Sequence, residues 1–202
     1  MNGLLVGIAK SKDMKEEIKL KIEGHVVINQ YKSSEDLKSG NIEKCVLDQH
    51  NAIHSENMSV AVANSLGGLG NIIKYMWFGN GGCSINSLGQ TIFYPANVIL
   101  QTANLYNPIY QVEIDGSEKN YFTVNHLNGN NFTDLTINVV LDENEPINEQ
   151  AVSGTGDDGV TFNEIGLFDD QNNLLTHLVF NNIEKTLTRV YTINYRLRIS
   201  VF

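Results

Sequence analysis

Residues 187–201, LTRVYTINYRLRISV, decide the fold class of this 202-residue chain. The odd positions of this stretch are apolar except at Arg189, and the even positions are polar except at Val190. Successive side chains of a β-strand point to opposite faces of the sheet, so this alternation predicts one long strand with a buried face and a solvated face. The stretch therefore predicts a protein built mainly from extended antiparallel strands.

Most of the remaining chain also has the pattern of short strands separated by turns. Strands are predicted at 18–28, 42–47, 72–78, 91–94, 110–114, 121–124, 132–141, 160–168 and 174–180. The polar residues 32–41 predict a flexible turn, and Asp169–Asn173 predicts a hairpin turn because Asn and Asp tolerate positive φ. Apolar residues at helical spacing predict one short α-helix at about residues 52–66, capped by Asn51 or Ser55.

These elements predict an antiparallel β-sandwich that forms a single domain over residues 1–202, since sandwiches of this length are routinely undivided. We expect an extended N-terminal arm at residues 1–16 and a long acidic loop at 142–159. The run LLVGIA at residues 4–9 is too short for a signal peptide, so export by a standard signal is not expected.

Composition argues against two kinds of partner. The formal net charge of −9 argues against a nucleic-acid interface, which needs a basic face. No stretch approaches the roughly 18 apolar residues of a membrane span, so no membrane contact is expected. Cys45 and Cys83 predict two buried thiols in a reducing compartment, with a disulfide as the alternative.

Several groups of residues resemble chemical sites but have a structural interpretation that we favour. His50 and His54 are four apart, as metal ligands on a helix are, yet capping and packing at the helix start explain them. The glycine clusters at 67–70 and 79–82 lack the residues that complete a phosphate-binding loop, so turns and close backbone approach are predicted there. The carboxylates of the acidic loop match no calcium loop.

The chain also lacks a recognisable catalytic arrangement. Glu113 and Asp115 share one face of a strand and could imitate an acid–base pair, but no pocket is evident beside them. His126 and His177 are read as isolated strand residues, and no Gly-x-Ser-x-Gly occurs. Trp77 is predicted to lie in the core. We therefore predict a protein that is not an enzyme, with no catalytic, cofactor-binding or metal-binding residues.

A series of short motifs follows in order along the chain. They are Asp48-Gln-His-Asn51, a helix, Ile73-Lys-Tyr-Met-Trp-Phe-Gly-Asn-Gly-Gly82, Asn104-Leu-Tyr-Asn-Pro108, Phe162-Asn-Glu-Ile-Gly-Leu-Phe168, Leu174-Leu-Thr-His-Leu-Val-Phe180 and Ile183-Glu-Lys-Thr186. The series, over about residues 20–202, resembles a loosely related group of tailed-bacteriophage virion proteins of collar or neck, tail, baseplate or fibre-attachment type. Asn80 stands where that group usually has Thr.

The resemblance implies a β-sandwich structural subunit without catalytic activity. It implies assembly in the host cytoplasm into the virion, with copies of itself and with portal, tail or fibre components as partners. In this setting Glu164 and Gly166 are expected to shape a hairpin, and Asn51 to shape the start of the helix.

From the residues themselves we expect assembly as a homo-oligomer through exposed strand edges, the apolar arm and the acidic loop. Arginines of the last strand offer charge complementary to that loop. The predicted interface residues are Leu4, Leu5, Val6, Asp142, Glu143, Glu145, Asp157, Asp158, Arg189, Arg196 and Arg198.

The alternative function is a carbohydrate- or receptor-binding β-sandwich on a host-contacting fibre. It would use exposed aromatic side chains beside Asn and Asp, with Tyr106, Tyr110 and Tyr121 as the candidates.

Overall fold

A computed structural model describes residues 18–70, 72–143, 145–146 and 159–202. These residues form strands β1 Leu20–Tyr31, β2 Lys44–Ile53, β3 Ile73–Gly79, β4 Cys83–Ile85, β5 Thr91–Phe93, β6 Pro108–Glu113, β7 Tyr121–Asn125, β8 Phe132–Leu141, β9 Gly159–Asp169, β10 Leu174–Thr186 and β11 Val190–Val201. The helices are α1 Ser34–Ser39 and α2 Ser55–Leu66. The prediction of a mainly β, antiparallel, sandwich-like fold is confirmed.

Nine strands form one curled antiparallel sheet in the order β6-β3-β9-β10-β2-β1-β11-β8-β7, and β4 and β5 form a separate hairpin. Strand β2 produces the curl. It pairs with β1 from Lys44 to Asn51, and then with β10 through Ala52 and Ile53. We call β2, β1, β11, β8 and β7 layer A, and β10, β9, β3 and β6 layer B.

The last strand lies in the middle of layer A. Its predicted alternation is confirmed, because Tyr191, Ile193 and Tyr195 are buried while Asn194 between them is exposed. The expectation of exposed strand edges is wrong for this strand. β11 pairs with β1 on one side and with β8 on the other, so it has no free edge. Among the described strands of this sheet, β6 and β7 are the ones with an unpaired edge.

Apolar side chains from both layers meet in one core. Layer A contributes Val26, Ile28, Ile137, Val139, Leu141, Ile193, Tyr195 and Leu197, and layer B contributes Met76, Phe78, Val112, Phe162, Ile165, Leu167 and Phe180. The Tyr195 hydroxyl donates to Thr176 Oγ1 at 2.6 Å and so joins β11 to β10. Each large side chain buried here stabilises the fold by about 1.5–3 kcal/mol relative to exposure.

Local hydrogen bonds account for two departures from the predicted secondary structure. The predicted flexible turn at 32–41 contains α1, which Ser33 caps through Oγ and Gly40 ends at φ 72°. Helix α2 is capped by His54, whose Nδ1 accepts from Asn57 N at 3.2 Å, and not by Asn51 or Ser55. Asn51 instead lies on β2, with its side chain over Gly24.

The chain between β3 and β6, which includes the β4–β5 hairpin, packs against the outer face of layer B. Leu105 from this segment packs with Phe168 and Leu174 in a second, smaller cluster. Trp77 also faces this side and is half-buried against Phe168, so it belongs to this smaller cluster and not to the main core. The reason is the alternation along β3, which sends Met76 and Phe78 inward and leaves Trp77 outward.

The two cysteines are free thiols. Cys83 is half-buried, but Cys45 is exposed, so the prediction of two buried thiols is wrong for Cys45. Cys45 lies where the register of β2 against β1 shifts between Ile28 and Asn29. The bulge interrupts the regular alternation of side chains at this point of the strand.

Candidate functional site

The predicted interface residues do not form one surface in the described structure. Leu4, Leu5, Val6, Asp157 and Asp158 lie outside the described residues, as do the predicted arm at 1–16 and most of the acidic loop. The others lie at separate places, with Asp142 and Glu143 beside Ser34, Arg189 beside Glu43 and Arg198 beside Asp134. Their part in assembly stays a prediction.

The described acidic residues bind neighbouring parts of the same chain. Asp142 forms an ion pair with Lys119 at 2.6 Å, and this contact above all holds the pKa of Asp142 below its usual range. Asp142 and Glu143 accept hydrogen bonds from Ser34 Oγ and Ser34 N, both at 3.0 Å. Glu145 accepts from the Asp142 backbone N–H. This end of the loop therefore anchors the start of α1.

Two of the three predicted arginines bind acidic residues other than those of the loop. Arg198 donates two hydrogen bonds of 2.8 Å to Asp134 and lies 4.0 Å from the centre of the Phe132 ring. Arg189 forms an ion pair with Glu43. Arg196 is half-buried between His25 and Thr136 on the neighbouring strands. The charges of the arginines and of the loop are thus partly neutralised by other residues of the same subunit.

A cluster of hydrogen bonds surrounds Glu164, which is fully buried on β9. Its carboxylate accepts hydrogen bonds from three backbone N–H groups at 2.8–3.0 Å, those of Gly81, Tyr106 and Asn107. It also accepts from His177 Nε2 at 3.1 Å. The four bonds join two loops and strand β10 to one side chain.

His177 is not isolated, contrary to the prediction from its position in a strand. It is fully buried, and its Nδ1 accepts from the Asn97 backbone N–H at 2.8 Å. Because Nδ1 is an acceptor, the ring proton is on Nε2, which donates to Glu164. The two residues face each other because Glu164 and His177 lie on the outer face of adjacent strands β9 and β10.

The pKa of Glu164 reflects two opposing causes. Burial acts to raise it, because desolvation disfavours the charged form, but the bonds from His177 and the three backbone N–H groups outweigh burial and lower it. The carboxylate is therefore ionised at neutral pH. An acid–base pair of this kind can transfer protons in a catalytic site, but both side chains have 0% exposure here. The arrangement binds loops and has no access for a substrate.

Close packing around this cluster explains the glycines at 79–82, as the sequence predicted. A Cβ at Gly79 would lie 2.5 Å from Glu164 Oε1, and a Cβ at Gly81 would lie 2.7 Å from Asn107 N. Gly82 N donates to Asn163 Oδ1 at 2.8 Å. The glycine cluster is thus shaped by Asn163 and Glu164.

The two histidines considered as metal ligands have different surroundings. His50 lies on β2 beside the His25 ring, 4.9 Å between centroids, whereas His54 is fully buried and donates from Nε2 to Leu100 O at 2.7 Å. Among residues 18–70, 72–143, 145–146 and 159–202, no three His, Cys, Asp or Glu side chains are arranged to hold a metal ion. Glu113 pairs with Lys74, while Asp115 accepts from Ser117 N.

The three tyrosines considered for carbohydrate binding do not share a surface. Tyr106 packs on Tyr94 and donates to Pro95 O at 2.7 Å. Tyr110 on β6 is half-buried beside Phe78, and burial raises its pKa to about 12. Tyr121 lies on β7, at the other end of the sheet order.

A wide apolar groove opens between layer A and α2, and we call it the end groove. Its volume is about 440 Å³, and nearly all of its lining is apolar. The lining includes Ile22, Met58, Val62, Leu66, Ile72, Phe122, Leu135, Leu197 and Ile199. A second groove of similar volume continues it along α2 past Leu20 and Ser59.

The end groove lies where core-facing apolar side chains at one end of the layer A strands are not fully covered. Ile22 and Ile199 are paired, as are Leu20 and Val201 one step further out, and Val124 pairs with Leu135. These side chains continue the core-facing side of layer A to the end of the strands. Helix α2 covers part of it, but Leu66 is still 85% exposed and Val124 is 68% exposed.

The chain matches none of the protein-family models, curated proteins or solved structures with which it was compared. The likeness to phage virion proteins therefore rests on the short motifs alone and stays a prediction. Within the described part of the chain, neither helix has the length and apolar character needed to cross a membrane.

Proposed function

We propose that this chain is a non-enzymatic structural subunit of a tailed-phage virion and that it assembles as a homo-oligomer. It would belong to the neck, tail, baseplate or head-fibre region, with portal, tail or fibre components as neighbours. The observation that carries the proposal is the end groove with the exposed apolar side chains around it. Contiguous apolar surface of this kind is unusual on monomers and is typical of protein contacts.

The motifs behind the resemblance support the same proposal, because they serve architecture. Asn163 and Glu164 bind the glycine cluster at 79–82, and Glu164 also binds Tyr106 and Asn107. The motifs at 73–82, 104–108 and 162–168 are thus in mutual contact, and they fasten a long loop to a rigid sheet. Nothing in this contact set requires a ligand.

The occupant that we propose for the end groove is a second copy of the chain. The unpaired edge of β7 adjoins the groove, since Phe122 of that strand lines it. Strand β7 contains no Lys, Arg or Pro, the residues that commonly block pairing at a sheet edge. A second copy can therefore cover apolar side chains and pair an edge in the same contact.

Light scattering after size-exclusion chromatography tests this proposal. We expect the full chain to form a particle whose mass is two or more whole subunit masses. Leu66→Lys should shift the mass toward one subunit, because losing a buried leucine costs about 2 kcal/mol, or about 30-fold in affinity, per contact. Leu88→Lys is the matched control, since Leu88 is 80% exposed but lies in the β4–β5 turn.

A chain with the mass of one subunit throughout the micromolar range would contradict the proposal. So would an oligomer that Leu66→Lys and Leu88→Lys leave equally intact, since the contact would then lie elsewhere. The alternative function, binding of a carbohydrate or receptor, is not supported at Tyr106, Tyr110 and Tyr121, which lie apart. It is supported by a different set of aromatic residues around Trp77.

A further inference from the structure

A cleft of about 350 Å³ lies on the outer face of layer B, between strand β3 and the β9–β10 turn. Two aromatic rings, Tyr75 and Trp77, form one wall, and buried Phe168 forms its floor. Pro108 and three amide side chains, those of Asn104, Gln111 and Asn172, complete the lining. Its size falls within the range of small-molecule sites, roughly 300–1,000 Å³.

Strand geometry places the aromatic wall. Tyr75 and Trp77 are two apart on β3 and so point to the same side, away from the main core. Phe168 is the β9 partner of Tyr75, and its ring meets that of Trp77 edge-on with 6.4 Å between centroids. The β9 partner of Trp77 is Gly166, over which the side chains of Leu105 and Leu174 pack, so one side of the indole lies against this cluster.

The backbone of each residue that carries a rim amide is held by the surrounding structure. Gln111 is the β6 partner of Trp77. Asn172 has φ 62° in a turn that buried Asp169 fixes, since Asp169 Oδ1 accepts from Gln171 N and Asn173 N. In the loop opposite, the Asn104 backbone carbonyl accepts from Asn97 Nδ2 at 3.0 Å.

The amide groups themselves are largely unused. The side chains of Gln111 and Asn172 are exposed and form no hydrogen bond with any other described residue. Asn104 uses its Oδ1 to accept from Leu105 N and leaves its Nδ2 for other partners. An amide side chain has both a donor and an acceptor, so the cleft offers several of each at its rim.

We propose that this cleft binds a neutral carbohydrate, with one pyranose ring stacked on Trp77 or Tyr75. A pyranose has an apolar face of C–H groups, which suits an aromatic ring, and a rim of hydroxyls that both donate and accept. Amide side chains match such hydroxyls, because each offers complementary donor and acceptor atoms. None of the lining residues is acidic or basic, so a phosphate or a cationic ligand has no counter-charge there.

A proline-rich peptide is the other ligand that aromatic clefts commonly bind. Such a peptide presents carbonyl acceptors and few donors, so it would leave the acceptor oxygens of Gln111 and Asn172 unpaired. The mixed donors and acceptors of this rim therefore favour the sugar.

The proposed carbohydrate site is independent of the oligomeric role, since the cleft lies on the outer face of layer B and the end groove lies beneath layer A.

Trp77 is the single tryptophan of the chain, so its fluorescence reports on this cleft alone. The full-length protein is first applied to an array of neutral glycans and then titrated with the oligosaccharides that bind. We expect a saturable change in Trp77 emission with each of these. A hexaproline peptide serves as the competing probe, and we expect no change with it.

Binding of the same oligosaccharides to variants is then measured by calorimetry. Asn172→Gly removes one amide but keeps the turn, because glycine readily adopts positive φ. We expect binding roughly 5-fold weaker, as for the loss of one hydrogen bond. Trp77→Leu should weaken binding by at least 10-fold, and Tyr121→Leu, at a distant exposed tyrosine, should leave it unchanged.

The proposal is overturned if no neutral glycan on the array binds, or if hexaproline alone changes the Trp77 emission. It is also overturned if Asn172→Gly and Trp77→Leu, each with an unchanged circular dichroism spectrum, bind as the parent does. A monomeric protein that passes these tests would contradict the homo-oligomer while supporting the carbohydrate site. An oligomer that fails them would do the reverse.

Discussion

At the scale of the residue, the buried side chain of Glu164 connects distant parts of the chain. One buried carboxylate satisfies three backbone donors from two loops and one histidine. A buried charge is tolerated only when it is fully hydrogen-bonded, and this one is. Its role is therefore to fix the path of the chain at 81 and at 106–107 relative to strand β9.

Glu164→Gln should destabilise the protein by about 2–3 kcal/mol, because an amide N–H₂ would face backbone donors and leave them unpaired. Urea unfolding at neutral pH measures this change, and Glu118→Gln, at an exposed glutamate without a described partner, is the control. The stabilisation by ionised Glu164 is present above its ordinary pKa of 4.5 and is lost as pH falls through the lowered value. A variant as stable as the parent would show that the cluster contributes little.

Lys185 is a second buried charge, and among the described residues no carboxylate is in direct contact with it. Its Nζ donates to Asp142 O and Thr186 O, both at 2.9 Å. Burial lowers its pKa to about 8, against the opposing influence of the charges on Glu145, Asp142 and Glu143. The unfolded chain, with an ordinary lysine pKa of 10.5, keeps this proton to higher pH than the folded protein does.

Stability should therefore rise between about pH 8 and pH 10, because the unfolded state binds more protons there. The expected gain is about 2–3 kcal/mol. Above pH 10 the raised pKa values of Tyr110 and Tyr191, both about 12, act in the opposite direction. Thermal melts from pH 7 to pH 10 measure the rise, and Lys185→Met should abolish it; a flat profile for the parent would contradict this prediction.

These residue environments were only partly accessible from the sequence. The glycines at 79–82 signal close backbone approach by themselves, but nothing local identifies Glu164 as the group that they approach. The contact between Glu164 and His177 depends on the register of two strands, which the alternation of side chains does not specify by itself. The sequence alone therefore does not show that His177 contacts Glu164.

At the scale of the element, the long loop at 80–107 depends on helix α2 as well as on Glu164. Asn57 of α2 is buried and donates from Nδ2 to Gln101 O at 3.1 Å and to Leu174 O at 2.9 Å. His54 donates to Leu100 O nearby. The start of α2 thus holds the loop against β10.

Asn57→Leu should leave those two carbonyl groups unpaired and loosen the loop locally. We expect faster hydrogen exchange at residues 97–105, by about 10-fold for a loss of about 1–2 kcal/mol, with slow exchange retained in β11. Exchange followed by mass spectrometry measures this, and Asn64→Leu on the same helix is the control. Uniform acceleration throughout the sheet would instead mean that the whole fold is weakened.

Elements with a long regular pattern were predictable, and short capped ones were not. Strand β11 is twelve residues long, and its alternation alone revealed both its conformation and its buried face. Helix α1 has six residues, buries none of them and depends on Ser33, Gly40 and contacts from Asp142 and Glu143. Its residues are mostly polar, so no apolar period could reveal it.

At the scale of the whole molecule, the incomplete cover over one end of layer A is the feature that bears on function. Helix α2 only partly covers the apolar side chains at this end of the strands. Alternation predicts which side of β11 is apolar, but it cannot show that the far end of that side is left partly uncovered. The end groove could therefore not be predicted from the sequence alone.

Photo-crosslinking from inside the end groove tests the central claim most directly. A benzoylphenylalanine residue is incorporated at position 122, and in a control protein at position 93, where Phe93 is exposed on β5. Burial of the end groove against a second copy predicts covalent dimers from position 122, joined to groove residues of the other copy, and few or none from position 93. Only single chains after illumination at position 122, in a sample that light scattering shows to be oligomeric, would contradict the claim.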